Sequence, residues 1–357
     1  MRLKELKLEL TQQCPLACVH CSTESHRKRT SALTRETVIR LIREGSGLGL
    51  EKVAFTGGEP LLVPYLHEAI RESWALGVRS SLYTCGAVDS DLNPLTADAA
   101  MALADAGLGK FIFSLYSHRA EVHNSVTGFQ SLSTTIAAMQ AALKTSVDVE
   151  IHFVAMRRNF RDLRDLVRAA ATWGVGRLSV LRFVPHGRAN NIAHKEDLTA
   201  DEMRELRDGI INARAAFPRV NVRAGSPYNV LGIGYTPCDA AQEVLVVNHR
   251  GEIFPCDAFK NVEYYDPEFG SVLNQPLKDV WERSAFLNQT RTELAASPIQ
   301  ECGACEEFSG CKSGCLAQKI LRDGWAGAHQ RDPGCLVQIT PVPAVRIEVA
   351  ESALYVP

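Results

Sequence analysis

Residues 5–21 read Glu5-Leu6-Lys7-Leu8-Glu9-Leu10-Thr11-Gln12-Gln13-Cys14-Pro15-Leu16-Ala17-Cys18-Val19-His20-Cys21. Leu6, Leu8 and Leu10 recur at period two, the pattern of a half-buried strand. The strand runs straight into Cys14-x3-Cys18-x2-Cys21, so three thiols share one short loop. Three thiolates so placed can hold three irons of a [4Fe–4S] cube and leave the fourth iron open. An open iron suits a site that activates a substrate, whereas a structural site draws its last ligand from the protein. The spacing equally allows a zinc site completed by His20 or His26, or three ordinary buried cysteines.

Outward from this loop the chain alternates strand and helix. A helix follows Thr34, with Val38, Leu41 and Ile42 on one face, and leads to a strand at Val53–Phe55. The helix His67–Trp74 precedes a strand near Ser80–Tyr83, and Thr96 caps a helix that Gly107 ends. Strands at Phe111–Leu115, Val149–Ala155 and Leu178–Val184 are separated by helices at Ser131–Leu143 and Leu163–Trp173. Six β/α units predict an α/β fold with a parallel sheet, open or curled into a partial barrel. Chemistry in such folds sits at the C-terminal ends of the strands, where the cysteine loop falls. A helix over Ala200–Ala216 reads as a connector, and the Gly/Pro/Asn-rich stretch Gly225–Pro237 as a boundary. Beyond it turns and cysteines dominate, with one small hairpin, Glu243–Val247 followed by Gly251–Phe254. The expected division is a barrel over 1–200, a helical connector over 201–235, a cysteine-rich domain over 236–340 and a tail over 341–357.

Composition narrows the setting. Among 357 residues, 46% are hydrophobic and 22% charged, and the net charge of -2 gives no reason to expect nucleic acid or a membrane surface as partner. No apolar run reaches the length of a membrane span, and the N-terminus lacks a signal peptide's apolar region, so a cytoplasmic protein is expected. In a reducing compartment eleven cysteines point to metal ligation or catalysis rather than disulfides. Gly45-Ser46-Gly47-Leu48-Gly49 and Gly107-Leu108-Gly109-Lys110 lie at helix ends and do not form phosphate loops.

Cys14-x3-Cys18-x2-Cys21 after the first strand, with the ring of His20 before its last cysteine, resembles the signature of the radical S-adenosylmethionine (SAM) superfamily. Thr56-Gly57-Gly58-Glu59-Pro60, at the end of the second strand, resembles that superfamily's GGEP motif. The resemblance spans residues 5 to about 190. It implies a partial (β/α)6 barrel with a [4Fe–4S] cluster on the three cysteines. SAM would be cleaved to a 5′-deoxyadenosyl radical that takes a hydrogen atom from the substrate. It also implies that Gly57, Gly58, Glu59 and Pro60 cradle the methionine end of SAM, that Ser114 holds its ribose or methionine, and that His20 lies beside it. A flavodoxin or ferredoxin would donate the electron.

The last third carries Cys238-x12-Gly251-x4-Cys256, then Cys302-x2-Cys305-x5-Cys311-x3-Cys315, then Cys335. This order over about 100 residues resembles the seven-cysteine SPASM domain, which binds auxiliary [4Fe–4S] clusters. Three clusters in all are then implied. Cys302, Cys305, Cys311 and Cys335 would ligate the outer auxiliary cluster, and Cys238, Cys256 and Cys315 the inner one. No further cysteine lies between Cys85 and Cys238, so the inner cluster keeps an open iron or takes a nearby Asp or His. A zinc ribbon fits seven ligands poorly.

Four further residues carry two readings each. Asp257, after Cys256, matches a proposed proton acceptor of anaerobic sulfatase-maturating enzymes, or caps a turn. Cys85 ends the third strand and is either a hydrogen-atom donor to a substrate radical or a small buried residue. His118 and His123 line the mouth of the site or serve a loop.

The resemblance favours a ribosomally made peptide or protein as substrate, with a crosslink, dehydrogenation or epimerisation as the outcome. The chain starts almost at its first strand, so a separate leader-recognition protein is expected. The alternative substrate is a small molecule such as a sugar, aminocyclitol or tetrapyrrole. Arg182-x2-Pro185-x-Gly187-Arg188 faintly resembles haem-pathway members. A zinc-bound interaction protein would leave the GGEP segment unexplained.

Overall fold

A computed structural model describes residues 1–296 and 299–337. Its frame is one sheet of nine strands: β1 (Glu5–Thr11), β2 (Lys52–Gly57), β3 (Arg79–Thr84), β4 (Leu108–Ser114), β5 (Asp148–Ala155), β6 (Arg177–Arg182), β7 (Asn221–Ala224), β8 (Val244–Val247) and β9 (Ile253–Phe254). Their order is β7-β6-β5-β4-β3-β2-β1-β8-β9, and every neighbouring pair is parallel except β8–β9.

Register places like with like on the face that meets the helices. Leu8 pairs Phe55, Phe55 pairs Leu82, Leu82 pairs Phe111 and Phe111 pairs Val149, all of them buried. Each such side chain contributes roughly 1.5–3 kcal/mol against exposure. The covering helices supply the matching stripe. In Arg35–Gly47, capped by Thr34, it is Val38, Ile39, Leu41 and Ile42; in Leu163–Trp173 it is Leu163, Leu166, Val167 and Ala170.

Two strands lie where the sequence suggested none in the barrel. β7 is four residues long and follows the connector helix Ala200–Ala216, too short a run to show a period. β8 does open the expected hairpin, but its other edge docks parallel on β1, pairing Glu5 with Val244 through Leu8 with Val247. β1 is therefore an interior strand, with the cysteine-rich region continuing its sheet. A helix over Ala120–Thr127 also lies in a stretch where none was expected. The rear region adds the helix Leu277–Arg283, whose Leu277, Val280 and Trp281 join the main core, and helices Ala285–Ala295 and Leu316–Asp323 around a small core that includes Phe259, Phe286, Leu316 and Ile320. Among the described residues no helix is long and apolar enough to cross a membrane. The tail over 341–357 lies outside the described residues.

Candidate active site

The cysteine loop is held by backbone contacts on several sides. Ala17 N and Val19 N donate to the carbonyls of Thr127 and Val126. At the end of β2, Gly58 N donates to Thr11 O (2.6 Å) and Glu59 N to Gln13 O (2.8 Å). These contacts need glycine. A Cβ on Gly57, at φ +122°, would stand 2.5 Å from Thr11 O, and one on Gly58 would overlap the Gln13 carbonyl. From β6 onward, Arg188 donates from Nε to Cys18 O (2.9 Å) and from Nη2 to Ser25 O (2.9 Å). Gly187 lies so close to Cys21 and Ser22 that a side chain there would strike their carbonyls.

Thus fixed, Cys14, Cys18 and Cys21 border one cavity of about 460 Å³ at the C-terminal ends of the strands. Its volume lies in the usual range for small-molecule sites, roughly 300–1,000 Å³. Gly57, Gly58, Ser114 and His20 line it, as do Tyr116 and His186. Burial, then the nearness of Cys14 and Cys21, pushes the Cys18 thiol well above its ordinary value. Bound iron reverses such a shift, because a coordinating thiol loses its proton outright. His20 packs edge-on against Tyr116 with ring centroids 4.8 Å apart, and burial with the charges of Arg188 and Arg158 pushes it down to about 4. The Nδ1 atoms of His20 and His186 are buried without a partner. Converging thiols, glycine-lined walls and spare polar atoms fit a four-iron cluster with SAM beside it.

Glu59, Pro60, His118 and His123, all expected near the site, lie off the cavity. Glu59 is buried behind the wall, where its carboxylate accepts from Leu61 N (3.0 Å), Thr84 Oγ1 (2.7 Å) and Cys85 N (2.8 Å). It ties the end of β2 to the end of β3, and Pro60 beside it starts a buried 3-10 turn. Cys85 does reach the cavity, and the nearness of Cys14 together with burial raises its thiol. His123 is a core residue: its Nδ1 accepts from Tyr116 N and its Nε2 meets Ser131 Oγ. Neither His118 nor His123 lines the cavity.

The opposite wall comes from the rear region. Cys256 and Asp257 line the same cavity, and Asp257 pairs with Lys7 (2.7 Å) and Lys260 (3.1 Å). Lys260 also pairs with Glu9 (2.5 Å). Burial alone would raise the Asp257 carboxyl, but Lys7 and Lys260 outweigh it and hold it well below the usual range. Sequence reasoning missed Lys7 and Glu9. The charges between Leu6, Leu8 and Leu10 look solvent-facing on a half-buried strand. A parallel strand flanked on both sides has no wet face, so they turn into a polar lumen.

The seven rear cysteines gather in two places. Cys302, Cys305, Cys311 and Cys335 border one small cavity of about 20 Å³. Cys238, Cys256 and Cys315 crowd one another, and burial with that crowding raises the Cys256 thiol. Asp332 stands between the groups. It accepts from Cys315 N (2.7 Å) and Gly334 N (2.7 Å), and pairs with both Nη atoms of Arg182 at 2.9 and 2.8 Å. The pair is buried, with 7% of the Arg182 side chain and 1% of the Asp332 side chain exposed. Among the described residues no three His, Cys, Asp or Glu side chains close around a single-ion position.

Comparison with known proteins agrees with this architecture. The profile of the radical SAM superfamily matches residues 8–170, and that of the iron-sulfur cluster-binding SPASM domain matches 238–306. Cys311, Cys315 and Cys335 lie beyond the second match. The AdoMet-dependent heme synthase of Oleidesulfovibrio alaskensis is 24% identical over 94% of this chain and 88% of its own length. The PqqA peptide cyclase of Methylocella silvestris is 28% identical over 92% of this chain and 86% of its own. Among solved structures, Streptococcus suis SuiB bound to its precursor peptide SuiA superposes with a TM-score of 0.76 at 18% identity, covering 94% of this chain and 76% of that one. With the motifs, the sheet and both profile matches in agreement, the chain belongs to the radical SAM superfamily and carries a C-terminal SPASM domain.

Proposed function

We propose that this enzyme modifies a ribosomally made peptide by hydrogen-atom abstraction. One observation carries the reading: a single cavity is bordered on one side by Cys14, Cys18 and Cys21 and on the other by Cys256 and Asp257. Cys14, Cys18 and Cys21 hold the first [4Fe–4S] cluster, with Gly57, Gly58, Ser114 and His20 against SAM. When bound, cluster and cofactor supply a 5′-deoxyadenosyl radical that takes a hydrogen atom from the substrate. The chain's own part is to exclude water, place the substrate and manage charge.

Cys302, Cys305, Cys311 and Cys335 hold the outer auxiliary cluster and Cys238, Cys256 and Cys315 the inner one, which makes three in total. The inner trio leaves one iron without a cysteine, close to the substrate cavity. Asp257 stays ionised between two lysines, which makes it a weak base. As an acceptor it works only where substrate displaces Lys7. Glu59 acts on the site through the ends of β2 and β3. Cys85, packed beside Cys14, is read as part of the wall. A flavodoxin or ferredoxin serves as electron donor, and a separate protein presents the peptide leader.

The heme synthase relative favours a tetrapyrrole as the second reading. Against it, Arg182 is committed to Asp332 and Arg188 to the carbonyls of Cys18 and Ser25, so neither guanidinium is spare for a substrate carboxylate.

Anaerobic turnover with SAM and dithionite, with short peptides encoded beside the gene, tests the proposal. The expected result is 5′-deoxyadenosine together with a peptide that has lost hydrogen, or gained deuterium in heavy water. Zinc without iron, and no SAM cleavage, would refute it.

A further inference from the structure

A second, larger hollow of about 990 Å³ opens next to the substrate cavity. The two share a wall made by Glu9, Ser22, Thr23 and Lys260. The outer hollow is acidic: its lining holds six carboxylates against Arg250 and Lys260. Both cations are already engaged, Arg250 with Glu252 and Lys260 with Glu9 and Asp257, and Glu268 pairs with Arg283 from outside the lining (3.6 Å). Glu24 and Glu263 are exposed, and among the described residues neither has an ion-pair partner. Tyr265, 86% exposed, offers its ring at the same rim.

Glu9 supplies the independent sign of a ligand. It is 1% exposed, and while Oε1 pairs with Lys260, Oε2 is buried with no hydrogen-bond partner. A buried carboxylate oxygen left without a donor is costly, so a native protein keeps one where something else donates to it. That oxygen belongs to the wall between the two hollows.

We infer that the outer hollow seats a lysine- or arginine-bearing flank of the peptide substrate, with a cationic or amide N–H of the peptide donating to Glu9 Oε2. This rests on the peptide reading above and adds a substrate class to it. A small cationic molecule would fill the inner cavity and leave the outer one without use. A chain needs both, one for the residue that reacts and one for its neighbours. Carboxylates with an exposed tyrosine ring are the surface that receives ammonium and guanidinium groups.

The test is binding to the reconstituted enzyme by fluorescence anisotropy. The probes are a labelled glycine–serine decapeptide with three lysines, the same peptide with three glutamates, and spermine as competitor. The lysine peptide is expected to bind roughly ten-fold or more tighter than the glutamate peptide, with the preference shrinking as salt rises. The surface variant Glu24→Lys/Glu263→Lys, which disturbs no core, removes most of that preference. Glu9→Gln weakens the lysine peptide further, with SAM binding retained as evidence of folding. Equal affinity for the two peptides, an unchanged preference in the surface variant, or displacement by spermine at equal concentration overturns the inference. Hydrogen loss or deuterium gain in an encoded peptide during anaerobic turnover, alongside any of these results, leaves the peptide reading standing, so the two failures are distinguishable.

Discussion

The loop Cys14–Cys21 and the cysteine-rich region beyond residue 237 meet at one cavity, where Cys256 faces the loop, yet they are held by different means. The front loop is gripped by backbone hydrogen bonds from Thr127, Val126 and the glycine pair after β2, and by the two-pronged donation of Arg188. Those contacts rest on the extended apolar core formed by the sheet and its helices. The rear cysteines sit on turns and short helices around a small apolar cluster. They are tied to the barrel by β8, by Leu277, Val280, Trp281 and Leu287, which pack into the core of the sheet, and by the buried Arg182–Asp332 pair. The front site is preorganised by scaffold, as reacting geometry demands, while the rear sites lean on their own ligation for folding.

Cutting the tie should separate the two regions most. Arg182→Met leaves the Asp332 carboxylate buried without its cation, a loss of about 3–5 kcal/mol. The account expects proteolysis to open within 238–337 while a protected barrel fragment persists. It also expects Arg182→Met/Asp332→Leu to recover much of the loss, because two apolar groups replace the pair together. A uniform shift of both regions in urea would show that they unfold as one and would break the comparison.

Acid provides a smaller perturbation that acts on the front. Burial pushes His123 down to about 4, so the folded chain holds its imidazole neutral where the unfolded chain, with a value of about 6.5, takes up a proton. A lowered value means stability that is present above the unfolded value and lost as pH falls. Between pH 7 and pH 5 this histidine should remove about 2 kcal/mol from the barrel. Urea titrations of wild type and His123→Gln at the two pH values measure it, and the variant should show the smaller difference. An equal decline in both would place the acid sensitivity elsewhere.

Much of this was legible from residues 5–21 and 56–60 because those stretches combine a period with a chemistry. Leu6, Leu8 and Leu10 declare a strand, and the three cysteines after them fall at its C-terminal end. The facing of Lys7 and Glu9 was not legible, since their partners Asp257 and Lys260 come from about 250 residues downstream. Gly57 and Gly58 were expected to admit a cofactor, and the close approach visible in the structure is to the backbone of Thr11 and Gln13. Glu59 was expected at the ligand and instead spans two strand ends, a tertiary fact with no local signal. The division of the rear cysteines came from family resemblance, because spacing alone does not say which thiols share a cavity. Arg182 and Arg188 drew notice as a motif, but their partners lie about 150 residues away in opposite directions.

The central claim is that ten of the eleven cysteines form three separate iron sites, with Cys85 outside them. Iron and sulfide content after anaerobic reconstitution tests it directly, in wild type, in Cys14→Ala/Cys18→Ala/Cys21→Ala and in Cys302→Ala/Cys305→Ala/Cys311→Ala/Cys335→Ala. The account predicts about twelve irons in wild type and about eight in each variant, with SAM cleavage lost in the first variant. About four irons in wild type, or loss of all iron on removing either group, would contradict it.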